Sequence, residues 1–357
     1  MILRAMRAQV DIAADVIDGG DAPHREDLRG HPVVELLRRR IAQGSTPGRR
    51  SDPHTLALAV EGGGMRGVVS AGMVTALSLL GAGQAFDLAL GVSAGASNAF
   101  AFCAGTDDRV AAAYYGACVD GPFLSARRAA LGRGPLMDLE VLAQDIVVGR
   151  DDELVRRADA SGVRLGFVAT DVETAAPVVL EDFADAQELR TALRASSLLP
   201  GIAGAPVELK GRLHVDGTIT ESIPYPSALR LGATHVLVLQ TRPVGVPLRR
   251  ARGPERLISA RALRRLGPQV EAAYAARPQR YAAAVAELAE RSADGAGPPF
   301  LATIRPAAGT PPVGQLERSK PRLRAGARSG ALAVHLALTG GRPWLDGRLA
   351  TTLPGLA

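Results

Sequence analysis

The sequence predicts an α/β fold built on a mostly parallel sheet, and three observations predict it. Two strand–turn–helix units follow one another within about fifty residues, starting at Thr55. The strand-like segments are short continuous apolar runs, the pattern of strands buried on both faces. The composition is 47% apolar but only 4% aromatic, so a sizeable core must be made of small and aliphatic side chains, which suit close helix–sheet packing.

The elements follow in order. Residues 31–43 place Val34, Leu37 and Ile41 at helical spacing. Gly44 to Pro53 is a polar linker rich in turn residues. Thr55–Val60 is a buried strand, Glu61–Gly67 a turn, and Val68–Leu80 a helix stopped by Gly81 and Gly83. Asp87–Val92 is a second buried strand, and Ala94–Cys103 a second helix. Val163–Thr170 and Pro177–Glu181 read as paired strands, and Ala184–Ser196 as a helix. Pro206–Lys210 and Arg212–Val215 read as a hairpin turning at Gly211. His235–Gln240 and Phe300–Ile304 are further strands, with helices at Tyr274–Arg291 and Pro321–Leu338. The uncharged run 67–86 has the length of a membrane span. Its four glycines and its Ser, Thr and Gln residues favour a buried helix and turn instead.

Charge and cysteine usage narrow the function classes. The formal net charge is +6, from arginines scattered along 357 residues. Scattered arginine reads as solvated surface or as attraction to an anionic membrane. With so few aromatics for base stacking, no nucleic-acid partner is expected. The two cysteines, Cys103 and Cys118, have no metal-type or disulfide-type spacing. A cytoplasmic protein, at most peripheral to a membrane, is expected. Residues 1–50 read as a partly flexible leader with one helix, and the oligomeric state is not encoded in any pattern.

The first motif that carries chemistry is Gly91-Val92-Ser93-Ala94-Gly95, a G-x-S-x-G sequence between an apolar strand and a helix of small residues. A serine on so sharp a turn is exposed to a substrate, and the helix after it directs its positive end at the reacting oxygen. Glycines two residues to either side avoid Cβ clashes. The bland alternative is an ordinary glycine-rich turn. The second motif is Gly62-Gly63-Gly64-Met65-Arg66-Gly67. Unobstructed backbone N–H groups before a helix can cradle an anion or a developing oxyanion. The Lys-Ser/Thr ending of a phosphate-binding P-loop is missing.

A serine nucleophile needs a base within hydrogen-bond reach. The six histidines are His24, His31, His54, His214, His235 and His335, and none has the loop setting of a triad histidine. Asp216, in Val215-Asp216-Gly217-Thr218, ends an apparent strand. It reads as a carboxylate base or as a plain Asp-Gly turn. Chain position also permits a Ser-His-Asp triad using His235 or His335.

Together these pieces resemble the patatin-like phospholipase family, whose members share a G-G-G-x-R-G loop, a G-x-S-x-G elbow and a D-G-[GA] motif in that order. Here they stand at Gly62–Gly67, Gly91–Gly95 and Asp216-Gly217, with a further similar stretch at Ala195–Gly201. The resemblance covers about residues 55–240 and, more weakly, 270–340. It implies a three-layer α/β/α sandwich with a mostly parallel sheet. It implies a lipid acyl hydrolase of the phospholipase A type that forms an acyl-enzyme through a Ser93–Asp216 dyad and uses no metal or other cofactor. Backbone N–H groups of Gly63, Gly64 and Met65 would hold the oxyanion, and Arg66 would secure the loop. A non-catalytic lipid-binding member is the remaining alternative. Thr218 departs from the third residue of the family's Asp motif, which bears on how Asp216 is placed.

The resemblance also sets the expected organisation. The catalytic domain would run over 51–345, with a basic helical insertion at about 243–295 and a tail at 346–357. The segment 243–268 holds Arg249, Arg250, Arg252, Arg256, Arg261, Arg264 and Arg265. It could meet anionic lipid headgroups or form a solvated helical face.

Overall fold

A computed structural model describes residues 28–247, 261–294 and 297–340. Most of the leader, Arg249 to Arg256 of the basic insertion and the tail at 346–357 lie outside the described residues. Strands β1 (Leu56–Val60), β2 (Leu88–Val92), β3 (Arg164–Asp171), β4 (Pro177–Leu180), β5 (Val207–Leu209), β6 (Arg212–Asp216), β7 (His235–Leu239) and β8 (Phe300–Ile304) form one sheet. Its order is β5-β6-β3-β2-β1-β7-β8, with β4 also on β3. The β3-β2-β1-β7-β8 portion is parallel, while β4, β5 and β6 add antiparallel pairs.

Both faces of the parallel strands are covered, so these strands read as unbroken apolar runs rather than alternating ones. Leu56, Leu58 and Val60 point into one core with the helices Val68–Leu79, Ala94–Ala104 and Lys320–Thr339. Ala57 and Ala59 point into the other, with Val236, Val238, Tyr281 and Leu288. The helices Tyr225–Arg230 and Arg277–Asp294 close that second face. The result is a three-layer α/β/α arrangement with a mostly parallel sheet. The sequence-based elements recur at nearly the expected bounds, with one correction. The helix expected over Tyr274–Arg291 is two helices, Pro268–Ala275 and Arg277–Asp294. Pro278 explains the break, since proline disfavours a helical residue before it and lacks the N–H that would continue the first helix.

The helix Val68–Leu79 lies so close to Lys320–Thr339 that a Cβ built on Gly330 would stand 2.9 Å from the Val69 carbonyl carbon and closer still to its oxygen. Gly330→Ala would gain helix propensity of up to about 1 kcal/mol. Overpacking against backbone, at roughly 1–3 kcal/mol, should outweigh it. A lower urea midpoint with unchanged slope is the expected result. Among the described residues, no helix is long and apolar enough to cross a membrane.

Candidate active site

Register on β3 brings the two candidate reacting groups together. On one edge of β3, Val168 pairs with Val92 at the end of β2, and the next residue, Ala169, pairs with Asp216 at the end of β6. β4 takes the opposite edge, pairing with the same two residues. The ends of β2 and β6 therefore meet head-on. Residues 123 positions apart become neighbours, and Ser93 Oγ donates to Asp216 Oδ2 at 3.0 Å.

Ser93 sits at a backbone of φ 55° and ψ −125° between β2 and the helix Ala94–Ala104. For a non-glycine residue this is a strained conformation, costing on the order of 1–3 kcal/mol. The flanking glycines make it possible. A Cβ on Gly91 would run into the carbonyl of Gly95, and one on Gly95 into the carbonyl of Val60. Ser196 holds the elbow from below. Its Oγ accepts from the Ser93 N–H at 3.0 Å and donates to the Val168 carbonyl at 2.7 Å. Ser196→Ala leaves a buried N–H without its acceptor, at about 1–3 kcal/mol. Both a lower urea midpoint and a fall in kcat of about tenfold are expected.

Asp216 is buried. Its Oδ1 accepts from the Thr218 N–H at 2.8 Å, leaving Oδ2 for Ser93. Thr218 thus fixes the carboxylate through its backbone, while its methyl packs against the small surface of Gly62. A Cβ on Gly217 would collide with the Val168 carbonyl. Burial pushes the Asp216 carboxyl above the usual carboxylate range. The Thr218 hydrogen bonds, the charge of Arg277 and the Ser93 hydroxyl act in the opposite sense.

The glycine-rich loop lies alongside. Gly64–Gly67 makes one tight turn that leads into the helix Val68–Leu79. The Met65 N–H is engaged by the Gln315 carbonyl at 2.9 Å, the Gly62 N–H by Ser222 at 3.3 Å and the Arg66 N–H by Gly63 at 3.2 Å. Met65 therefore drops out as an oxyanion donor. Gly63 and Gly64 keep N–H groups engaged by no other described residue. Arg66 secures the loop from behind. Its buried Nε donates to Thr241 Oγ1 at 3.1 Å. Thr241 N–H in turn donates to Glu61, whose other oxygen accepts from Tyr281.

Beside Ser93 opens an apolar cavity bounded by Tyr114, Phe123, Met137, Leu139, Leu142 and Ile146. It encloses about 450 Å³ including its mouth, but only about 30 Å³ admits the centre of a water molecule. A chain-shaped apolar group could enter only as the flexible Met137 and its neighbours yield. Cys118 also faces it, and burial pushes both cysteine thiols up to about 12, so they behave as small apolar residues.

The described histidines lie elsewhere. His235 begins β7, at the far end of a parallel strand from the Ser93 edge. It packs between His54 and Phe300, and burial lowers its pKa to about 4. His335 bonds Thr339 within the C-terminal helix. His214 pairs with Asp171 and Val207 in the sheet. Among the described residues no histidine bonds Ser93 or Asp216, and no group of His, Cys, Asp or Glu could hold a metal ion.

Sequence reasoning missed three contributors. Ser196 lies in the stretch Ala195–Gly201, quoted above without a role. Gln315 and Arg277 carried no local signal, because each acts through a contact distant in sequence.

Residues 58–229 match the model of the patatin-like phospholipase family, and this span includes both Ser93 and Asp216. The uncharacterized protein YjjU of Escherichia coli (strain K12) is 30% identical over 197 residues, which is 55% of this chain and 54% of that protein. The chain thus spans about half the length of that relative. The crystal structure of VipD from Legionella pneumophila is similar at 14% identity with a TM-score of 0.40, over 81% of this chain and 67% of that chain. What the chain is similar to over residues 58–229, just under half of its length, is the patatin-like phospholipase family.

Proposed function

We propose that the chain is a serine acyl hydrolase acting on lipid-type carboxylic esters. Ser93 Oγ attacks the ester carbonyl while Asp216 takes its proton. The N–H groups of Gly63 and Gly64 stabilise the oxyanion, together with the N-terminal end of the helix Ala94–Ala104. Asp216 returns the proton to the departing alcohol, leaving an acyl-serine. It then takes a proton from the water that attacks that ester, which releases the carboxylic acid and restores Ser93. The apolar cavity receives the acyl chain.

The observation that carries this reading is the 3.0 Å bond between Ser93 Oγ and a buried Asp216. A buried carboxylate with a raised pKa is a stronger base than an exposed one, which suits proton abstraction from a serine. The test is hydrolysis of phosphatidylcholine and of p-nitrophenyl esters by the wild type and by Ser93→Ala. Full activity in the variant would sink the reading.

A further inference from the structure

A second opening, a cleft of about 250 Å³, shares no lining residue with the apolar cavity. Its walls include Thr220, Glu221 and Ser222, from the loop that follows Asp216, and Arg277 and Arg280, from the helix Arg277–Asp294. Ser222 ties this cleft to the glycine-rich loop, since its carbonyl accepts from the Gly62 N–H at 3.3 Å.

The charges around it do not balance. Glu221 is taken by Arg230 at 3.0 Å and by the Ser227 N–H at 2.9 Å. Glu287 is taken by Tyr225 at 2.6 Å and lies 3.6 Å from Arg291. Among the described residues neither Arg277 nor Arg280 has a carboxylate partner. Arg277 makes one long bond, from Nε to Ser222 Oγ at 3.4 Å, and Arg280 donates only to the carbonyls of Ile219 and Ala273. Behind them, Arg66 and Arg242 share one acid, Glu61, which Arg242 approaches at 4.0 Å. Burial first, and then the charges of Arg242 and Arg277, lower Arg66 to about 10. Buried cations ordinarily carry a matching anion. Buried Arg66 and half-buried Arg242 and Arg277 gather around Glu61 and Asp216, and the exposed Arg280 adds a further guanidinium beside Arg277, so positive charge exceeds negative charge where the cleft opens.

We propose that Arg277 and Arg280 form a binding site for a phosphate group. Guanidiniums present paired N–H donors that match a phosphate's oxygens. The inference rests on the Ser93–Asp216 reading for its place in catalysis, because the cleft's Thr220–Ser222 segment follows Asp216 in the chain and the charge of its Arg277 acts on the Asp216 carboxylate. The phosphate is that of a lipid headgroup or a free phosphate.

The experiment has two arms. In the first, inorganic phosphate and sn-glycerol 3-phosphate are titrated calorimetrically into the full chain carrying Ser93→Ala, so that no turnover intervenes. Both should bind, and adding Arg280→Gln should weaken binding about tenfold or more. Arg280→Lys should recover part of it, and circular dichroism should show the fold kept. In the second, kcat/KM is compared on dihexanoyl-phosphatidylcholine and on dihexanoylglycerol, which carries the same acyl chains without the phosphate. If the ligand is a headgroup, Arg280→Gln should lower the first about tenfold more than the second. Weakened phosphate binding with an unchanged ratio assigns the site to free phosphate. Absence of phosphate binding, or binding that Arg280→Gln leaves intact, overturns the site. Loss of the Ser93 reading would show instead as full turnover in Ser93→Ala, which leaves the titration arm standing.

Discussion

Ser93→Ala is expected to lower kcat on p-nitrophenyl esters by roughly four to six orders of magnitude. The size of the effect follows from the site's geometry. Ser93 Oγ is the group that Asp216 Oδ2 faces at 3.0 Å, and the elbow holds it in a strained backbone that an ordinary turn would not retain. With Oγ gone, the Gly63 and Gly64 N–H groups and the apolar cavity remain, so the residual rate measures polarisation and binding alone. The fold should be kept, because alanine keeps the Cβ, and a melting curve close to that of the wild type would exclude unfolding as the cause of the loss.

Asp216→Asn should lower kcat by about 10²–10⁴-fold, the usual contribution of a positioned base. The amide can still accept from the Thr218 N–H and occupy the same space, so the loss reports proton transfer rather than collapse. The pH behaviour gives a second, independent signature. Burial raises the Asp216 pKa above its unfolded value of 3.8. Between those two values the folded protein keeps a proton that the unfolded chain has released. The contribution of Asp216 to stability therefore falls as pH rises through that window, and it stays unfavourable at neutral pH. Asp216→Asn should accordingly melt higher than the wild type at pH 7 while being far less active. Wild-type kcat/KM should fall as pH is lowered through the raised pKa, because only the carboxylate can take the proton.

The parallel core was legible because its signals are local. Leu56–Val60 and Leu88–Val92 are apolar runs, each leading through a short turn into a helix. The elbow was legible because two glycines and a serine at fixed spacing encode a steric requirement, which the close approach of Gly91 to Gly95 satisfies. Asp216 was nameable only as the end of a strand. Its partner depends on the register of β2 and β6 along β3, and register is a tertiary property. The same reasoning explains what stayed hidden. Ser196 acts across β3 on the Ser93 N–H, Gln315 reaches Met65 across about 250 residues of chain, and Arg277 approaches Asp216 from the opposite helical layer. The proline at position 278, visible in the sequence, is what divides the helix on which Arg277 stands.

In the proposed mechanism Asp216, and no histidine, activates Ser93. The most direct measurement is the rate at which an alkyl fluorophosphonate modifies the protein, followed by intact mass and peptide mapping, in the wild type and in Asp216→Asn. One adduct per chain is expected, on Ser93, forming rapidly in the wild type and at least about a hundredfold more slowly in the variant. Equal rates in the two proteins, or an adduct on any other residue, would contradict the mechanism.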